Sequence, residues 1–177
     1  MHPGIQVELH TSDEKLDLMR GEADVALRVG PMPSKAGLII RRVGEVRARL
    51  FCSAAYAQRH GVPSLVAQLN DHTLIRGVGR VDTRPGHKWM AEHAPQARIA
   101  HRAASTDGIL HAVRAGLGIG SLPSFLAPDT DLVCIEGLGP QEAVGAWLIT
   151  TDEVRRRAHV RAFLDFTAPR LVAVLGV

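Results

Sequence analysis

Strand-patterned segments alternate with short helix-patterned segments along nearly the whole chain. This alternation restricts the fold more than any single motif. Ile5-Gln6-Val7-Glu8-Leu9-His10 alternates apolar and polar side chains, the pattern of a strand with one covered face. Thr11 and Glu14 have capping-box spacing, with Ser12 as an alternative N-cap. They introduce a helix through Leu16 and Met19 that should stop at Gly21, a good residue for the left-handed turn after a helix. Ala23-Asp24-Val25-Ala26-Leu27-Arg28 reads as a parallel strand covered on both faces. Residues 5–28 are therefore expected to form a right-handed β-α-β unit.

Further strands are expected at Leu38–Val43 and Val46–Cys52, separated by Gly44, and at Thr73–Arg76, Arg98–Arg102, Leu117–Leu122, Leu132–Glu136 and Val144–Thr150. Helices are expected at Ala54–His60, Leu65–Leu69 and Pro123–Ala127, and through Ile109, Leu110, Val113 and Arg114 behind a Ser105-Thr106-Asp107 cap. Asp152 opens the last helix, whose apolar stripe is Val160, Phe163, Leu164 and Thr167. Pro169 should kink or end it. Gly77–Gly86 reads as a loop, and Lys88–Glu92 fits neither pattern. The order of elements implies an α/β protein with a largely parallel sheet. The Gly- and Arg-rich middle interrupts that order and implies two lobes.

Composition removes several classes of function. The chain has 177 residues, 46% hydrophobic and 22% charged, which excludes disorder and a coiled coil as whole-chain answers. No apolar run is long enough to cross a membrane, and the N-terminal residues lack a signal-peptide layout, so a cytoplasmic location is expected. The net charge of +3 is spread among acidic residues; its densest run, Arg155-Arg156-Arg157, reads as a solvated helix face. Aromatic residues are only 4%, too few for stacking platforms on single strands. Cys52 and Cys134 are expected to be reduced thiols, and the nine histidines show no metal-ligand spacing. No metal and no cofactor is expected.

Gly116-Leu117-Gly118-Ile119-Gly120 imitates a dinucleotide loop but follows a helix and enters a strand, the reverse of the required context. A helix-ending glycine followed by a strand that lets another backbone approach fits better. Ser121 stands in Gly-Ser-Leu-Pro and not in a nucleophile elbow. Ser105 and Thr106 place two hydroxyls at a helix N-terminus, where an anion is favoured, though a plain N-cap explains them equally well. Arg28 lies at the C-terminal end of an expected parallel strand, where ligands of open α/β sheets gather; a surface ion pair is the alternative.

Several stretches, taken together, resemble the effector-binding domain of LysR-type transcriptional regulators. They include "GEADVALRVG", "CSAAYAQRHGVP" and "AGLGIGSLP", with "PGIQVELH", "DLVCIEG" and "VRAFLDF" in the family's order over residues 3–168. The resemblance implies two Rossmann-like lobes of the type II periplasmic-binding-protein kind, lacking the first strand and most of the first helix. Lobe one would comprise residues 1–51 and 148–177, and lobe two residues 52–147. It implies a non-enzymatic regulatory domain that takes a small, anionic effector between its lobes. The implied contacts are Arg28, Val29, Gly30, Ser105, Thr106 and Ser121. It also implies a homo-oligomer with residues 5–20 or 163–177 in the interface, and no operator binding by this chain alone, since no winged helix-turn-helix is present in it. The apolar tail Leu171–Val177 would cover part of the missing surface, in its own chain or in a partner. A free-standing solute-binding protein and a remnant acting only through protein association are the alternatives.

Overall fold

The computed structural model describes residues 4–11, 16–126 and 131–176. The chain forms two compact units, one from Met1–Val46 with Ala143–Val177 and the other from Arg47–Glu142. The chain crosses between them within its longest strand, Leu38–Ser53, and just before the strand Ala143–Thr151.

In the first unit, β1 (Ala26–Val29) pairs antiparallel with β7 (Ala143–Thr151), and β7 lies beside the first half of β2 (Leu38–Ser53). The expected β-α-β unit is not formed. Ile5–His10 is in no strand and is exposed or half-exposed, and the expected helix is a single 3₁₀ turn, Leu18–Arg20. Asp17 caps that turn by accepting from the Met19 N–H, and Gly21 ends it at φ 74° as expected. Ser12 and Glu14 lie outside the described residues. Alternation assigns side chains to faces, but a strand also needs a neighbour to satisfy its backbone. Among the described residues, β1 offers Ile5–His10 none.

A short helical turn, α4 (Asp152–Arg155), is capped by Thr151, and a separate helix, α5 (Ala158–Leu175), follows. Pro169 neither ends nor bounds α5, although its ring removes one backbone hydrogen bond. Packing on both sides of the proline outweighs that loss. Leu164 and Ala168 before it and Leu171, Val172 and Leu175 after it share one core with Val43, Val46, Ala146 and Leu148. Much of the tail is therefore part of this unit's own core. β2 runs unbroken through Gly44, at φ 152°, where a Cβ would lie 2.5 Å from the Leu175 Cβ. The glycine that suggested two strands instead admits the end of α5.

The second unit holds a five-stranded sheet in the order β6-β2-β5-β3-β4, using the second half of β2, β3 (Thr73–Gly77), β4 (Arg98–Ala103), β5 (Ile119–Pro123) and β6 (Leu132–Ile135). β5, β3 and β4 are parallel, while β2 is antiparallel to both β5 and β6. The sheet is thus mixed and not largely parallel, because β2 enters from the first unit and must run against the strands that follow.

Successive residues bury opposite faces. Leu50, Cys52, Leu74 and Ile119 join a core with Tyr56 of α1 (Ala54–His60) and Met90 of α2 (Pro85–His93). Phe51, Ile75 and Leu122 join another with Ile109, Ala112 and Val113 of α3 (Thr106–Arg114). The helix α2 replaces the ambiguous stretch around Lys88. Pro85 occupies its first turn, where the missing N–H costs nothing. The Leu65–Leu69 helix is a 3₁₀ turn, Val66–Asp71. Gly116 closes α3 at φ 72°, and at Gly118 a Cβ would lie 2.4 Å from the Thr73 carbonyl oxygen. The glycine-rich stretch is therefore a helix end followed by a close strand contact.

Candidate functional site

In the second unit the N-terminal ends of α2 and α3 meet. Arg84, the residue before α2, directs its guanidinium onto the Thr106 hydroxyl at the start of α3. Ser105 caps α3 by accepting from the Gly108 N–H at 3.1 Å, and its own O–H remains available as a donor. Ser121, on β5, is buried beneath the first turn of α2. A Cβ at Gly86 would lie 1.8 Å from the Ser121 hydroxyl oxygen, so only glycine allows this approach. Three of the six expected contact residues thus gather around Arg84-Pro85-Gly86.

The loop between β3 and α2 is held from below. Arg76 donates to Asp82 at 2.8 Å, with the arginine side chain 14% exposed. His87 is buried, and its Nδ1 accepts from the Gly77 N–H at 3.1 Å. That bond requires a bare Nδ1 and places the proton on Nε2. Burial, reinforced by the nearby Arg76 charge, pushes the His87 pKa down to about 4, so the ring is neutral at physiological pH. This ring props the β3 end and the first turns of α2 from inside the unit.

The other expected contacts lie on the first unit. Arg28, on β1, donates to the Leu16 carbonyl at 2.9 Å and so ties down the preceding segment, in place of a surface ion pair. Gly30, at φ 138°, donates to the Gly145 carbonyl at 2.9 Å, and its own carbonyl accepts from Trp147 Nε1 at 2.8 Å. Val29 is 52% exposed.

Sequence reasoning missed Arg84, Arg76, Asp82 and His87. Arg84 and Thr106 are far apart in sequence, and only the meeting of two helix starts joins them. The one available signal was Arg84-Pro85-Gly86, a proline-started helix with a glycine where another element approaches. The thiols offer no nucleophile. Cys52 is fully buried with its pKa pushed up to about 11 by burial, and burial also raises that of Cys134. Among the described residues no cluster suits a metal ion, and no helix is long and apolar enough to cross a membrane.

The family model for the LysR substrate binding domain matches residues 1–171, so the chain belongs to that family of bacterial transcriptional regulators. The regulatory domain of CrgA, a LysR-type regulator from Neisseria meningitidis, is similar over 99% of this chain and 86% of its own, with 25% identity and a TM-score of 0.76. The probable regulator LtrA of Klebsiella pneumoniae is 29% identical over 98% of this chain and 59% of its own length. The mau operon transcriptional activator of Paracoccus denitrificans is 42% identical over 72% of this chain and 41% of its own length. The curated relatives are matched over 21–59% of their lengths. The fold is that of LysR regulatory domains, and the family consists of regulators and not of enzymes.

Proposed function

We propose that this domain is the ligand-sensing part of a LysR-type transcriptional regulator and takes a small organic anion at the meeting of α2 and α3. The observation that carries the reading is the Arg84 guanidinium held on the Thr106 hydroxyl, beside the Ser105 hydroxyl and two helix starts. Guanidinium and hydroxyl donors at helix N-termini suit a carboxylate. Ser105, Thr106 and Ser121 are the effector contacts of this unit. The family resemblance adds Arg28, Val29 and Gly30 from the first. As a regulatory domain it works within the cytoplasm as a homo-oligomer.

Thermal shift with a panel of aromatic carboxylates and aliphatic carboxylates of up to about four carbons, run in the parent and in Arg41→Ala/Arg161→Ala, tests this. A ligand at one hundred times its dissociation constant stabilises the folded state by ~2.7 kcal/mol. For a domain of this size that raises Tm by about 5–10 °C. Thr106→Val should abolish the shift without lowering the ligand-free Tm by more than a few degrees. A panel that gives no shift at 10 mM, or an unchanged shift in Thr106→Val, would overturn the reading.

A further inference from the structure

A cavity lies wholly inside the first unit, away from the residues assigned to the effector. Ile39 and Arg41 alternate on β2 and share one face, and Leu148 and Thr150 do the same on β7. Above them α5 presents Arg161, Leu164, Asp165 and Ala168, which recur at helical spacing and form one stripe. Between sheet and helix is a space of about 450 Å³. Its floor is apolar, made by Ile39, Leu148, Leu164 and Ala168. Its rim is cationic.

Four arginines are among the lining residues, Arg41, Arg155, Arg156 and Arg161, against one acidic residue, Asp165. Asp152 neutralises part of this charge, at 3.7 Å from Arg155 and 2.5 Å from Arg156. Among the described residues, Arg41 and Arg161 have no ion-pair partner. Volumes of roughly 300–1,000 Å³ with apolar walls and a few fixed polar groups are those of small-molecule sites. An uncharged apolar guest would leave the guanidiniums unused, and a cation would be repelled.

We propose that this cavity binds a small amphiphilic carboxylate, its hydrocarbon body on Ile39, Leu148 and Leu164 and its headgroup on Arg41 and Arg161. Such a site would give the first unit a ligand of its own, distinct from the one at α2 and α3.

Octanoate is the probe, titrated into the full chain by calorimetry and by amide NMR shifts, with octanamide as the uncharged control. Saturable binding is expected, with shifts at Leu148, Thr150 and Leu164. Octanamide should bind at least about tenfold more weakly. The Arg41→Ala/Arg161→Ala pair should weaken octanoate by a similar factor, and Arg41→Gln/Arg161→Gln should do so too. Both arginines are exposed, so the variants should keep the parent Tm. Thr106→Val should leave octanoate binding at this cavity intact, which separates this proposal from the effector reading. Absence of saturable binding below 10 mM, equal binding of octanamide, unchanged affinity in both double variants, or shifts confined to the Ser105 region would overturn it.

Discussion

The two units meet the same requirement with different completeness. In the second, helices cover both faces of a five-stranded sheet, and Leu50, Phe51, Leu74, Ile75, Ile109 and Ile119 are fully buried. In the first, the described sheet stops at β1, where Leu27 is 49% and Val29 52% exposed, and the strand-patterned Ile5–Leu9 leaves Leu9 80% exposed. A periodic pattern says which side of a strand is apolar. The backbone groups still need a neighbouring strand, and an edge without one is a place for association.

The contrast predicts a hierarchy of substitutions. Phe51→Ala, in the closed core of the second unit, should cost about 3–5 kcal/mol in denaturant unfolding. Leu27→Ala, half-exposed in the first, should cost less than about 1 kcal/mol. Similar losses at the two positions would mean that the first unit's sheet is covered in solution. Light scattering then identifies the cover. If a second copy supplies it, the parent is a dimer, and Leu9→Glu converts it to a monomer.

His87 gives the second unit a pH dependence. Its folded pKa of about 4 lies below the ordinary histidine value of 6.5. Lowering the pH through 6.5 protonates the unfolded chain first. The histidine's stability contribution is therefore fully present above pH 6.5 and is lost progressively down to about pH 4, by roughly 3 kcal/mol. His87→Gln, whose carbonyl can still accept from the Gly77 N–H, should flatten this part of the curve. An unchanged curve would place the titration elsewhere.

Close approaches come next in size. Gly86→Ala should destabilise by about 1–3 kcal/mol, because its new methyl meets Ser121. Gly79→Ala, where nothing lies within 4 Å but φ is +58°, should cost only about 1 kcal/mol from backbone strain. Equal losses would show that α2 is free to move off β5.

Elements with local signals were legible in the sequence. Gly61 ends α1, Ser105 caps α3, and short apolar runs mark β3, β6 and β7. What depended on distant neighbours was not. Pro169 sits inside a helix because residues on both sides of it reach one core. Gly44 sits inside a strand because α5 ends against it. α2 carries polar residues on much of its surface and shows itself only through Pro85. At the site, Ser105 and Thr106 were visible as a cap, whereas Arg84 becomes meaningful only when the start of α2 is brought to the start of α3.

Amide hydrogen exchange, with and without the best carboxylate from the panel, tests the central claim most directly. The account predicts slowed exchange at Gly86–Lys88 and Asp107–Ile109, the first turns of α2 and α3, and loss of that slowing in Thr106→Val. A ligand that raises Tm while leaving both helix starts unprotected would contradict it.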